Sequence, residues 1–266
     1  MTWRDAHRHA HDGCRNGAYD EAMKPFVLLA TRPEDDVALE EYHAVRRFGG
    51  LQESQLEHVR LEKGPVPPLE LDRYSGIIVG GSPFNSSDPA EEKTATQRRA
   101  EEWISALLDE VVARDFPFLG ACYGVGTLGT HQGAVVDRTR SEEVGPITVT
   151  VTAEGATDPL LSQLPGEFTA YVGHKEGTRS LPANAVLLAS GTVCEVQMYR
   201  IKENLYATQF HPELDPQGLI NRVIAYKDLG YFRPGDTQTV IDRVKDGPEV
   251  DQPKKILAAF VDRYAV

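Results

Sequence analysis

Residues 116–124, Phe-Pro-Phe-Leu-Gly-Ala-Cys-Tyr-Gly, decide how this chain is read. Phe116 to Cys122 is a short, continuously apolar run, the pattern of a strand covered on both faces. Tyr123 to His131 follows as an expected helix. The junction, Gly120-Ala121-Cys122-Tyr123-Gly124, is a nucleophile elbow with Cys at its centre, G-x-C-x-G. So sharp a turn forces its central residue into a strained backbone conformation, while glycines two residues to either side let neighbouring backbone approach. The thiol then projects clear of the sheet edge. The helix beginning beside it aims N–H groups and a positive dipole end at the sulfur, which favours thiolate over thiol and can stabilise an oxyanion. The bland alternative is a buried Cys at a tight strand end.

Further strands flank this one. Phe26 to Ala30 is a buried strand, and Asp35 to Phe48 is a helix stopped by Gly49-Gly50. Leu56 to Leu61 is a weaker strand. Tyr74 to Gly81 is a strongly apolar one that runs into paired glycines, and Pro89 to Ala113 reads as a long helix. Strand–helix alternation with apolar strands argues for an α/β fold whose central sheet is mostly parallel and flanked by helices. The second half changes character. Pro146 to Thr152 alternates with period two, and Phe168–His174, Ala185–Ser190, Cys194–Ile201 and Leu205–Phe210 follow at close spacing. These are expected to be antiparallel strands appended to the parallel core. Helices are expected from Pro216 onward and over Lys254 to Tyr264.

Three regions are expected: a polar leader over 1–24, one α/β domain over 25–232, and a helical extension over 233–266. The extension would pack as added helices or serve as a partner or homo-oligomer surface. The leader carries His7, His9 and His11, then Cys14. A metal site there is conceivable, but no second Cys/His cluster completes a coordination shell, so no metal is assigned.

The 266 residues carry 28 Lys plus Arg against 40 Asp plus Glu, a net charge of −12. That charge argues against non-specific nucleic-acid binding. No window approaches the ~18 apolar residues of a membrane span, and the first residues lack a secretory core. Three cysteines suit a reducing, cytoplasmic setting better than a disulfide framework. Cys194, in the apolar stretch Val193 to Val196, is expected to be buried.

A cysteine nucleophile needs a base and a group to orient it. Gln209-Phe210-His211-Pro212-Glu213 ends the last expected strand. Glu213 can accept from one imidazole nitrogen of His211 while the other faces Cys122. Gly80-Gly81-Ser82-Pro83, at the end of another strand, can offer a backbone N–H to a reacting carbonyl, although a plain turn is the simpler reading.

GGSP at 80–83, FPFLGACYG at 116–124 and QFHPE at 209–213, in this order, resemble the class I glutamine amidotransferases. Two further stretches, Tyr171 to Glu176 followed by Leu181-Pro182 and Gly133 to Val136, resemble the glutaminase part of GMP synthetases. The resemblance covers about residues 25–215. It implies a flavodoxin-like fold and a Cys122–His211–Glu213 triad that hydrolyses the glutamine side-chain amide through a γ-glutamyl thioester. It also implies oxyanion and substrate contacts at Gly80, Gly81, Tyr123 and His174, and no cofactor. One departure stands out: the family usually reads C-x-G-x-Q, and position 126 here is Gly. No synthase segment or Walker-type motif follows the triad, so an ammonia acceptor would be a separate chain, or there is none. Hydrolysis of another γ-glutamyl amide or peptide, or a non-catalytic binding role, are the alternatives.

Overall fold

Short apolar segments that alternate with amphipathic helices build the first half of the computed structural model, which describes residues 23–266. In chain order these are β1 (Phe26–Ala30), α1 (Asp35–Gly49), β2 (Leu56–Arg60), β3 (Gly76–Val79), α2 (Ala95–Arg114), β4 (Phe118–Ala121) and α3 (Tyr123–His131). β1, β3 and β4 are buried at every position. Their side chains alternate between two cores. Val27, Leu29, Ile77, Val79 and Phe118 meet Ile104, Leu108 and Val111 of α2 on one face. Phe26, Leu28, Ile78 and Leu119 meet Tyr42 and Val45 of α1 on the other. Helices on both faces explain why the strands read as continuously apolar.

β5 (Val135–Asp137), β6 (Glu142–Val151), α4 (Ala153–Thr157), β7 (Glu167–His174), β8 (Gly177–Ser180), β9 (Ala185–Ser190), β10 (Met198–Ile201) and β11 (Leu205–Thr208) follow. The main sheet has nine strands in the order β2-β1-β3-β4-β11-β10-β9-β6-β7. β2, β1, β3, β4 and β11 run parallel, and the remaining neighbours pair antiparallel. β5 and β8 form a separate two-stranded sheet. The fold is thus an α/β sheet with appended antiparallel strands, as the sequence implies.

Some boundaries differ from expectation. The helix expected from Pro89 starts at Ala95, because the Thr94 side chain caps it by accepting from the Gln97 N–H at 3.1 Å. The strand expected from Pro146 starts at Glu142, and residues 194–197 stay outside β10. β8 has little apolar signal of its own, and its pairing with β5 is tertiary.

α5 (Pro216–Ala225) opens with Asp215 as its cap and Pro216 in the first turn. α6 (Thr237–Lys245) and α7 (Pro253–Tyr264) complete the chain. Ile256, Leu257 and Phe260 of α7 are buried in the same core as Phe26 of β1. Val240, Ile241 and Val244 of α6 pack with Leu219 and Val223 of α5. The His-containing leader up to residue 22 lies outside the described residues. No helix among them is long and apolar enough to cross a membrane, and no group of three or more His, Cys, Asp or Glu side chains among them could hold a metal ion.

Candidate active site

The carboxyl ends of β1, β3, β4 and β11 lie side by side, the edge where open α/β sheets gather their ligands. From them come Arg32, Gly80-Gly81, Cys122 and the segment Gln209 to Glu213. Cys122 sits between β4 and α3 with φ 52° and ψ −87°, one of three non-glycine residues at positive φ among the described residues. That strain is of the kind found at reactive sites. Gly120 makes the turn passable: a Cβ there would stand 2.8 Å from the Gly124 Cα. Gly124 is less constrained, since its own Cβ would meet only ordinary contacts, the nearest at 3.5 Å.

His211 and Glu213 come together as their spacing implies, with Nδ1 of His211 2.8 Å from Oε1 of Glu213. Donation from Nδ1–H to the carboxylate leaves Nε2 with a lone pair and no hydrogen-bond partner among the described residues. Cys122 and His211 line one cleft together with Arg32, Ser82, Arg222 and Tyr231. No hydrogen bond joins the thiol to the imidazole. Such contacts often form only once substrate is bound.

Behind the pair lies a layer of buried charge that the sequence does not announce. Arg222 of α5 donates through Nη1 to Oε1 of Glu213 at 3.0 Å and through Nη2 to Oε1 of Glu41 at 3.2 Å. Nε of Arg32 donates to the same Glu41 oxygen at 2.8 Å. Glu41 is fully buried on α1. In sequence it is one of two adjacent glutamates on an amphipathic helix and looks like part of a solvated face. No local signal marks it, or Arg222, as interior.

This layer gives the glycine pair a second reading. A Cβ on Gly80 would stand 2.4 Å from Oε2 of Glu41, and one on Gly81 would stand 2.5 Å from Nη2 of Arg32. The glycines make room for the charges. The Gly81 N–H, expected to face a reacting carbonyl, donates instead to Oε1 of Glu41 at 3.2 Å. Tyr123 heads α3, and its N–H has no acceptor among the described residues.

His174 is buried with both nitrogens occupied: Nδ1 lies 2.7 Å from the Glu176 carbonyl oxygen and Nε2 lies 2.9 Å from Oε2 of Glu142. The register of β6 and β7 pairs residues 142 and 174 directly. The neighbouring Glu176 accepts from the Ser86 and Ser87 N–H groups, each at 2.7 Å. It also fills the space at position 126, where a Cβ would stand 2.5 Å from the Ser86 Oγ and 2.9 Å from Oε1 of Glu176. The side chain that the family usually carries there is replaced by a clamped carboxylate and a serine.

Burial pushes the Cys122 thiol up to about 12, with Arg32 and Arg222 pulling the other way and Glu213 and Glu176 adding to the rise. Burial thus works against the depressed thiol expected at the start of α3. Burial also lowers His211, opposed by Glu213 and reinforced by Arg222 and Arg32. For Glu213 burial alone would raise the carboxyl, but His211 and Arg222 hold it well below the usual carboxylate range.

The family model described as glutamine amidotransferase class-I matches residues 42–225. A glutamine-hydrolysing GMP synthase subunit from Methanococcus aeolicus is 34% identical over 152 residues, 56% of this chain and 71% of that protein. Gamma-glutamyl peptidase 3 of Arabidopsis thaliana is 25% identical over 255 residues, 89% of this chain and 94% of that protein. A glutamine amidotransferase structure from Thermotoga maritima superposes with a TM-score of 0.70 at 20% identity, covering 91% of this chain and 98% of that one, a likeness of fold. With the family model spanning more than half its length, the chain belongs to the class I glutamine amidotransferases.

Proposed function

We propose that this protein hydrolyses γ-glutamyl amide bonds through Cys122, with glutamine as the amide donor and a Cys122–His211–Glu213 triad as its machinery. The observation that carries the reading is Cys122 at φ 52°, sharing its cleft with an imidazole whose Nδ1 is held by Glu213. The His211 Nε2 takes the thiol proton as Sγ attacks the amide carbon, and the carbonyl π pair moves onto oxygen. Collapse of that intermediate breaks the C–N bond while His211 returns the proton to the departing nitrogen. Ammonia leaves and a γ-glutamyl thioester remains. Water, deprotonated by the same imidazole, then releases glutamate. The Tyr123 N–H is the backbone donor available for the oxyanion, and Glu213 stabilises the imidazolium that forms in each half.

A second reading is favoured by position 126. Glu176 and Ser86 replace the glutamine-contacting side chain expected there, so the donor pocket is built differently, and a γ-glutamyl peptide becomes a reasonable substrate. The long match to gamma-glutamyl peptidase 3 supports it. Under the first reading, the match to a protein named as one subunit of a GMP synthase supports a separate synthase partner that accepts the ammonia. Sparse cysteines suit action in the cytoplasm.

The test is glutamate release from glutamine and from γ-glutamylalanine by the parent protein and by Cys122→Ser. Release by the parent and its loss in the variant support the reading, and the preferred substrate chooses between the two forms. Release that survives Cys122→Ser rejects the triad.

A further inference from the structure

We propose that Arg32 is a further catalytic residue of this site, its Nη2 donating to the oxyanion that forms when Cys122 attacks an acyl carbon. This rests on the reading of Cys122 as a nucleophile.

An acyl-transfer site needs donors aimed at the oxygen that gains charge. Of the two backbone N–H groups expected for that task, the Gly81 N–H is engaged by Glu41 at 3.2 Å, and only the Tyr123 N–H is free. Arg32 stands where the missing donor is needed. Its Nε is held by Glu41 at 2.8 Å and its Nη1 by the Tyr226 hydroxyl oxygen at 3.0 Å. Nη2 has no hydrogen-bond partner among the described residues, although the side chain is 3% exposed. A Cβ built on Gly81 would meet both Nη2 of Arg32, at 2.5 Å, and Cε1 of His211, at 2.7 Å. Nη2 therefore lies against the Gly81 backbone and near the imidazole, on the wall of the cleft that Cys122 lines.

Nη2 brings a permanent positive charge to the cleft wall. Arg32, His211 and Arg222 line the cleft, His174, Lys175 and Glu176 line its continuation past Cys122, and Tyr231 borders both, while Glu41 and Glu213 lie behind as partners of the two guanidiniums. Glu41 and Glu213 balance the two guanidiniums, and Nη2 is the one Arg32 nitrogen without a hydrogen-bond partner among the described residues. A guanidinium stays protonated throughout, and a hydrogen bond from an ionised donor is about twice as strong as one between neutral groups. Its pull on the Cys122 thiol exceeds that of Arg222. In the step itself the Sγ–C bond forms, the carbonyl π pair moves to oxygen, and the thiol proton goes to His211. Arg32 transfers nothing and stabilises the new charge until the C–N bond breaks and the pair returns.

Two electrophiles separate this role from others. p-Nitrophenyl acetate acylates a thiol through a tetrahedral oxyanion and releases nitrophenolate. Iodoacetamide alkylates the same thiol by direct displacement, with no oxyanion. Neither probe carries a carboxylate that Arg32 could bind. Labelling of Cys122 in the full chain is followed by mass spectrometry for the parent, Arg32→Met and Arg32→Lys. The expected result is acylation slowed about 10²-fold by Arg32→Met, partly restored in Arg32→Lys, with alkylation changed less than about tenfold. Should Arg32→Met not fold with Glu41 left short of a partner, Arg32→Met/Glu41→Gln keeps the buried charges balanced and carries the same comparison. Acylation and alkylation falling together, or neither falling, overturns the proposal. So does a parent Cys122 that the ester never acylates. Arg32-dependent acylation in a protein that hydrolyses neither glutamine nor γ-glutamylalanine would uphold this role and reject the substrate assignment alone.

Discussion

Two buried histidines in this molecule each pair with a glutamate, and only one keeps a ring nitrogen without a hydrogen-bond partner among the described residues. His174 and Glu142 face each other across β6 and β7 at 2.9 Å, and the Glu176 carbonyl takes the other nitrogen. Gln197 also donates to Glu142, at 2.7 Å. This pair is closed on itself and ties three segments of the antiparallel half together. His211 and Glu213 meet at 2.8 Å at the carboxyl edge of the parallel half, with Arg222 behind them and Nε2 left open toward the cleft of Cys122. The two contacts share their chemistry and differ in whether the second ring nitrogen is taken.

That contrast can be broken by experiment. The largest effect is expected from His211→Asn, which removes the proposed base and should slow hydrolysis by about 10⁴-fold or more, measured as glutamate release. His174→Asn in the same assay should change the rate by less than about tenfold. A comparable loss in both variants would sink the distinction. Glu213→Gln should cost about 10³-fold or more, because the imidazolium loses its counter-charge and the tautomer is no longer held.

Arg222→Met strips one partner from two buried carboxylates and is expected to cost about 3–5 kcal/mol in urea unfolding. It should also move the pH profile. Burial and the Arg222 and Arg32 charges keep His211 below its usual 6.5, so the acid limb of kcat/KM should lie below 6.5 in the parent. Removing a positive charge favours protonation, so in Arg222→Met the limb should move up. A limb that stays in place would mean the guanidinium does not act on the imidazole. The smallest effects are structural. His174→Asn should cost about 1–3 kcal/mol by leaving Glu142 short of a buried partner. Gly126→Gln, which must displace Ser86 and Glu176, should cost about 1–3 kcal/mol by overpacking and should fail to improve glutamine hydrolysis.

The contrast also marks where sequence reading stops. β1, α3 and β9 have the bounds their residues imply, because apolar runs and turn glycines act within a few residues of each other. β8 and the early start of β6 come from partners far along the chain, and no local pattern announces them. His174 reads as a substrate contact because its neighbours in sequence resemble the family's site. Its closure by Glu142 depends on a strand register that sequence periodicity does not state.

By itself, then, the sequence determined the parallel α/β core, the strained cysteine at its edge and the two-residue spacing that lets Glu213 reach His211. These follow from hydrophobic period, glycine placement and short covalent reach. Only the tertiary structure decided that Glu41, Arg32 and Arg222 turn inward and that Gly80 and Gly81 make room for them. It also decided that Glu176 occupies the space beside Gly126. A charged residue on a helix reads as solvated unless something distant neutralises it, and here the neutralising partners lie 9 residues away in one case and 181 in another.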